Sequence, residues 1–209
     1  MVKYLYILCL VKGILWEGKH LKNMKKLGFV CAWEKDKQKS WSGTNWGLYT
    51  ALQKHYEVID VDTGESEKRS TVLYRGTRKI KRMLGLSAPD MSLSRMESLE
   101  PKIESMLKSA DYPLFQFEEL PKAYNGDQYI YIDLHAGFVK KLFDTDKKTF
   151  ALSAYQDVPQ KNIYARTAQQ DEFFEHAAGI FTMGHWLKKE LVDTYGISED
   201  KVFSVGGGY

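Results

Sequence analysis

The sequence predicts an α/β fold, a doubly wound and mainly parallel Rossmann-like sheet with helices on both faces. Short apolar segments alternate with amphipathic helical segments along the chain, which is the pattern of a parallel sheet with helical crossovers. The first apolar segment, residues 27–32, is continuously apolar, as expected of a strand buried on both faces. No repeat or low-complexity tract interrupts the alternation, so one large domain is expected.

The first part of the chain predicts a strand, a loop, a helix and a second strand. Residues 27–32 form the first strand, and a helical stripe of Asn45, Leu48, Tyr49 and Leu52 follows a polar, lysine-rich loop. Ser42 or Thr44 is expected to cap this helix by accepting a hydrogen bond from a first-turn amide. Residues 57–61 are the second strand, reached by a right-handed crossover.

The remaining elements follow at similar spacing. An amphipathic helix is predicted around Met96, Leu99, Ile103, Met106 and Leu107, because apolar residues recur every three or four positions. Strands are predicted at 114–117, 128–132, 178–183 and 202–205, and helices at 136–143, at 163–177 and after residue 184.

Composition excludes several classes of protein. The 209 residues are 44% hydrophobic and 27% charged, with a net charge of +3, which is ordinary for a globular domain and indicates no nucleic-acid partner. Cys9 and Cys31 are too few for a disulfide scaffold, and Cys31 is expected to be a small buried residue in a reducing cytoplasm. His55, His176 and His185 lack metal-ligand spacing, so no metal and no cofactor are predicted.

Residues 1–23 are assigned separately from the domain at 24–209. The apolar stretch 4–11 is interrupted by Lys12, so it is far shorter than the ~20 residues that span a bilayer. Three interpretations stay open: an upstream extension, a short membrane-surface anchor accompanied by lysines, or a first strand. The basic cluster Arg75–Arg82 is expected to be a solvated loop, with an anionic acceptor or lipid headgroup as the alternative.

The segment Trp41-Ser42-Gly43-Thr44-Asn45-Trp46-Gly47 joins the first strand to the first helix. In open α/β sheets, ligands bind beyond the carboxyl ends of the strands. A glycine permits close approach of a ligand, and a helix N-terminus favours phosphate. The pattern is not a dinucleotide or P-loop motif, and its alternative interpretation is a plain tight turn with a helix cap.

A second candidate site follows the fourth predicted strand, where Asp133 and His135 flank Leu134. A histidine there could donate to a hydroxyl or a phosphate, with the aspartate orienting it or contacting the acceptor. The two side chains share a face only if the strand continues through them. The alternative is an aspartate helix cap beside a partly buried histidine.

Several of these segments resemble the N-terminal domain of retaining GT-B glycosyltransferases of the group 1, or family 4-like, type. They are Ser42-Gly43-Thr44, Tyr131-Ile132-Asp133, and a block of about thirty residues that runs from Phe181-Thr182-Met183-Gly184-His185-Trp186 to Val205-Gly206-Gly207-Gly208. The resemblance covers roughly residues 24–209, with little contribution from 63–125.

The resemblance implies transfer of a sugar from a nucleotide-sugar donor to an acceptor hydroxyl with retention of configuration. Ser42, Gly43 and Thr44 would face the donor diphosphate, and Asp133 and His135 would be catalytic residues on the acceptor side. Gly184, His185, Gly206 and Gly207 would border the cleft between two domains. The C-terminal donor-binding domain of the family is expected to be absent from this chain, which would then have no turnover alone.

The implied partners are a nucleotide sugar and a glycan or glycolipid acceptor, in bacterial surface glycan synthesis. The implied location is the cytoplasm, with peripheral association at the inner face of the membrane left open. A rival hypothesis is a non-catalytic flavodoxin-like or Rossmann-like binding module complete at 209 residues. A nicotinamide enzyme is disfavoured because the first loop lacks the dinucleotide motif.

Overall fold

The computed structural model describes residues 24–64, 91, 93–117, 120–121 and 127–207. The amino-terminal segment 1–23 and the basic cluster Arg75–Arg82 lie outside the described residues. Within the described ranges, no helix is long and apolar enough to cross a lipid bilayer.

Six parallel strands form one sheet in the order β2-β1-β3-β4-β5-β6. The strands are β1 (Lys26–Cys31), β2 (Glu57–Asp62), β3 (Tyr112–Gln116), β4 (Gln128–Ile132), β5 (Ala177–Thr182) and β6 (Val202–Ser204). The predicted fold class is confirmed. Since β2 and β3 pair with opposite sides of β1, the direction of strand addition reverses between β1 and β3. Ligands bind in open α/β sheets at such a switch point.

The described helices lie on both faces of this sheet. They are α1 (Thr44–Leu52), α2 (Ser94–Leu107), α3 (Ala136–Thr145), α4 (Lys147–Ala151), α5 (Gln160–His176) and α6 (His185–Asp193). Leu48 and Leu52 of α1 pack on the sheet face that carries Leu27 and Phe29, which we call the α1 face. Helices α2, α5 and α6 contribute buried side chains to the opposite face, around Phe115.

The two faces differ in composition. The core of the opposite face is rich in aliphatic residues, such as Val30, Ile130 and Ile180, covered by the apolar sides of α2, α5 and α6. The α1 face carries more aromatic side chains, including Phe29, Tyr131 and Phe181. Burial of either set of side chains removes apolar surface from water, which stabilises the fold by roughly 25 cal/mol for each Å² buried.

The element boundaries follow the predicted periodicities closely. The strand over 128–132 and the helices around α2, α3, α5 and α6 are confirmed within a few residues. The short helix α4 was missed, because five residues are too few to display a helical period. Its N-cap residue is Asp146, whose carboxylate accepts hydrogen bonds from the N–H and the hydroxyl of Thr149. Such a local cap favours a helical turn.

Candidate functional site

The loop after β1 ends in a left-handed turn at the carboxyl edge of the sheet. Trp41, Ser42 and Gly43 have φ angles of 50°, 54° and 87°. Glycine adopts this region freely, but side chains other than those of Asn and Asp rarely do. A bulky residue held there indicates stored backbone strain, which is concentrated at functional sites in proteins.

Helix α1 begins directly after this turn with no side-chain cap. Gly43 is the N-cap residue and provides no side-chain hydrogen bond, so the prediction that Ser42 or Thr44 caps the helix is wrong. The reason is geometric: the left-handed turn puts glycine at the cap position and Thr44 already within the helix. The Thr44 hydroxyl instead donates to the Gly207 carbonyl at 3.4 Å.

The turn also contacts the loop that follows β3. The indole of Trp41 stacks on the Phe117 ring with centroids 4.1 Å apart and planes 18° apart. Phe117 has a φ of 52°, and its N–H donates to the Tyr131 carbonyl at 2.8 Å. Two aromatic residues with left-handed backbones therefore bridge the loops that meet at the switch point, with Trp41 49% exposed.

Two buried amide side chains lie on the same side of the sheet as this stack. Gln116, the last residue of β3, is 0% exposed, and neither atom of its amide group has a hydrogen-bond partner within the described part of the chain. Asn45, in the first turn of α1, donates from Nδ2 to Cys31 Sγ at 3.1 Å, while its Oδ1 lacks a partner among the same residues. We call residues 41–45 and 116–117 the switch-point rim.

Sequence reasoning missed Gln116 as a site residue and treated Asn45 only as part of a helical stripe. The sequence did contain an indication of Gln116, because the apolar strand YPLFQ ends in its polar side chain. A buried strand that ends in a primary amide places two strong hydrogen-bonding groups at the ligand edge of the sheet.

The carboxyl end of β6 leads back to the switch-point rim. The Tyr131 hydroxyl donates to the Gly206 carbonyl at 2.9 Å, and the Val205 N–H donates to the Thr182 carbonyl at 2.9 Å. With the Thr44–Gly207 contact, these bonds bring the predicted residues Gly206 and Gly207 beside Thr44, the residue after Gly43. The structure therefore brings half of the predicted cleft group, Gly206 and Gly207, beside the predicted phosphate loop, and leaves Gly184 and His185 at another place on the edge of the sheet.

The other predicted residues lie at residues 133–137 and 183–186, which we call the β4–β5 rim. Strand β4 ends at Ile132, so the alternation that would pair Asp133 with His135 stops before both. His135 is 0% exposed. Its ring packs 5.2 Å from that of Phe174 and 4.4 Å from that of Tyr195. Its catalytic role stays a prediction.

His135 has one charged neighbour. Its Nε2 lies 3.1 Å from Asp171 Oδ1 on α5, although the angles at this contact fall outside hydrogen-bond geometry. Burial raises the pKa of the neighbouring Tyr195 hydroxyl to about 12, and the charges of Glu190 and Asp171 add to that rise. Neither ring nitrogen of His135 has a hydrogen-bond partner among the described residues, so His135 is a closely packed, buried histidine with unused bonding capacity beside a neutral tyrosine.

Asp133 is half-buried, and burial raises the pKa of its carboxyl group. Hydrogen bonds from its own N–H and from the Leu134 N–H act in the opposite direction. Among the described hydrogen bonds, none joins Asp133 to His135. The two predicted catalytic residues therefore occupy different environments at one strand end.

Gly184 and His185 form the start of α6. Gly184 is the N-cap residue, and its carbonyl accepts from the Thr182 hydroxyl at 3.1 Å and from the Lys188 N–H at 3.3 Å. His185 is exposed. The next residue, Trp186, is 51% exposed and contacts Phe138 edge-on at 5.7 Å.

Within the described ranges, no three His, Cys, Asp or Glu side chains converge in a way that could hold a metal ion. The polar groups at the switch-point rim are instead backbone amides, hydroxyls and primary amides, which suit an uncharged or anionic organic ligand. Comparison with protein-family models, with curated proteins and with solved structures found no match to this chain.

Proposed function

We propose that this chain is the N-terminal portion of a glycosyltransferase. It would help to move a sugar from a nucleotide-sugar donor to the hydroxyl of a glycan or glycolipid acceptor, with retention of configuration. The observation that carries the proposal is the left-handed turn Trp41–Gly43, which leads into the uncapped N-terminus of α1 at the switch point. Fold, turn and strand order fit the family resemblance given above.

The chemistry assigned to this turn is electrostatic. When the bond between sugar and diphosphate breaks, negative charge develops on the leaving phosphate. A helix N-terminus carries roughly half a positive charge and presents free amides. Ser42, Gly43 and Thr44 would face that phosphate, and a second domain outside this chain would hold the nucleotide and complete the site. Closure of the two domains would exclude water and limit hydrolysis of the donor.

The proposal places the reaction in the cytoplasm, with peripheral association at the inner face of the membrane. It also assigns acceptor contacts to the β4–β5 rim, where His185 and Trp186 are exposed. Asp133 remains the proposed acid–base or orienting group there, because a carboxyl group with a raised pKa is suited to proton transfer. Retention of configuration is supported by the family resemblance and not by any contact between described residues.

A thermal-shift screen tests the proposal. The chain is heated with UDP-, GDP- and ADP-sugars, with the matching nucleoside diphosphates, and with inorganic diphosphate. A ligand present at 100 times its Kd stabilises a protein by about 2.7 kcal/mol, which raises the Tm of a domain of this size by roughly 5–10 °C. At least one diphosphate compound should raise the Tm. No shift with any of them would contradict the assignment of the turn Trp41–Gly43 as a diphosphate contact, which is the part of the proposal that this chain carries.

A second candidate function is a flavodoxin-like module that binds a flat ring. The first five strands of the order β2-β1-β3-β4-β5-β6 match that class, whose flavin lies at the β1/β3 switch point. The half-exposed indole of Trp41 at this point favours it. Titration with FMN tests it, because a stacked indole quenches flavin fluorescence; unquenched fluorescence would eliminate this candidate.

A further inference from the structure

The buried amides of Gln116 and Asn45 leave three polar atoms without partners within the described residues. These atoms are Gln116 Oε1, Gln116 Nε2 and Asn45 Oδ1, in side chains that are 0% and 1% exposed. Buried polar groups are nearly always hydrogen-bonded, and an unmade bond is strongly unfavourable. Two such residues at the same edge of the sheet therefore indicate that a hydrogen-bonding partner is missing.

Both amides lie beside Cys31 on the α1 face of the sheet. Gln116 is in register with Tyr131 of β4, and its neighbour Phe115 is in register with Val30 of β1. Gln116 therefore lies beside Cys31, about 4.8 Å away across parallel strands. Asn45 contacts the same Cys31 through its Nδ2.

The hydrogen-bonding chemistry of these three atoms determines which kind of ligand group could pair with them. Two of the three are carbonyl oxygens, which only accept, so the missing partner must donate hydrogen bonds. An ionised phosphate only accepts and would leave both oxygens unpaired. A sugar hydroxyl donates and accepts, so a pair of hydroxyls can satisfy all three atoms. Even with the Asn45 amide reversed, Gln116 Oε1 still needs a donor.

We propose that Gln116 and Asn45 bind the hydroxyl groups of a neutral sugar, as a separate position from the phosphate-facing turn at Gly43. This inference rests on the proposed function, since it identifies which part of the nucleotide sugar the switch-point rim holds. Gln116 and Asn45 then determine the choice of sugar, while the α1 N-terminus contacts the charged part of the ligand.

The Trp41–Phe117 stack is the exposed feature next to the two amides. Phe117 follows Gln116 directly, and Trp41 stacks on the Phe117 ring while remaining 49% exposed. Under this proposal, separation of the two rings would admit the sugar. The indole can then lie against the ligand, because aromatic faces pack well on the apolar faces of pyranose rings.

The deciding variant is Gln116→Met, which keeps the length of the side chain and removes its polar end. Because the Gln116 amide has no partner among the described residues, its removal should raise the Tm by roughly 2–4 °C. Gln128→Met is the matched control. Gln128 lies in the same sheet and is 2% exposed. Its Oε1 has no partner among the described residues, but its Nε2 donates to the Phe173 carbonyl at 3.0 Å, so Gln128→Met leaves that carbonyl unpaired and should lower the Tm.

Binding is measured by saturation-transfer NMR with glucose, galactose, mannose and N-acetylglucosamine as hydroxyl probes and by calorimetry with inorganic diphosphate. At least one monosaccharide should bind the wild type and the Gln128→Met variant, with affinity at least tenfold lower for Gln116→Met. Diphosphate affinity should be the same in all three proteins.

Two binding outcomes would overturn the sugar position: a monosaccharide affinity unaffected by Gln116→Met, or no monosaccharide binding at all. A fall in Tm for Gln116→Met would also overturn it, since that result indicates a structural water as the partner. The proposed function fails separately. If monosaccharides bind but no diphosphate compound does, the sugar position stands and the transferase assignment does not.

Discussion

The switch-point rim and the β4–β5 rim lie on the same carboxyl edge of the sheet, yet their backbones differ. At the switch-point rim, Gln116 and Asn45 are buried without full hydrogen bonding, and three successive residues adopt left-handed backbones. At the β4–β5 rim, the ring nitrogens of His135 also lack hydrogen bonds among the described residues, but none of residues 133–137 and 183–186 has a left-handed backbone, and His135 fills a space between aromatic rings.

The difference shows that unmade hydrogen bonds alone do not mark a ligand site, because both rims contain them. His135 has the chemistry of a catalyst, but it is enclosed by aromatic rings on an unstrained backbone. Gln116 retains bonding capacity that the described chain does not use, and it lies beside a strained left-handed turn. Backbone strain and unmade hydrogen bonds persist at sites where a bound ligand provides the missing stabilising contacts.

The largest expected effect comes from His135→Ala. The ring is fully buried against Phe174 and Tyr195, so its removal leaves a cavity that should lower the free energy of unfolding by about 2–3 kcal/mol. Urea unfolding followed by circular dichroism measures this. If stability is unchanged while ligand binding falls, His135 belongs to the site and the contrast between the rims is wrong.

Gly137→Ala should destabilise by about 2 kcal/mol through overpacking. A Cβ at Gly137 would lie 2.6 Å from Tyr195 Cε1 and 2.7 Å from His135 Cε1, so the aromatic cage must shift. Binding of diphosphate at the switch-point rim should be retained. Urea unfolding and calorimetry give the two quantities, and equal losses of both would show that the two rims are coupled.

Gly43→Ala is the matched change at the other rim. Gly43 has a φ of 87°, and its Cβ would lie 3.3 Å from the Gln38 carbonyl; a left-handed backbone at a residue with a side chain costs about 1–2 kcal/mol. Here diphosphate affinity should fall at least tenfold, because the turn that presents the α1 amides is displaced. Undiminished affinity would remove Gly43 from the proposed site.

Asp133→Asn should produce the smallest effect, a small gain in stability at neutral pH. Burial raises the pKa of Asp133 above its ordinary value, so the charged form is disfavoured in the folded chain and the wild type loses stability as the pH rises through that pKa. The gain from Asp133→Asn should therefore shrink as the pH falls below the pKa. Melting curves at pH 7 and at about pH 4 compare the two; a gain that persists in acid would point to packing rather than charge.

Much of the architecture could be predicted from the sequence. The continuous apolar segment ending in Cys31 and the stripe of Leu48 and Leu52 identify a buried strand and a helix, because burial on one or both faces sets their periods. The turn around Gly43 could also be located, since it joins the two at the ligand edge of a parallel sheet. The cap of α1 could not, because Ser42 is a good capping residue whose left-handed backbone denies it that position.

The sequence by itself determined the alternation of strands and helices and the edge of the sheet where polar residues collect. Only the tertiary structure decided which of those polar residues keep unused bonding capacity. That property depends on partners from distant segments: the Gln170 Oε1 accepts from the Ala136 N–H, whereas no described group bonds the Gln116 amide. Local sequence patterns show the periodicity of a helix or strand, but the hydrogen-bond partners of a buried group depend on how distant segments pack together.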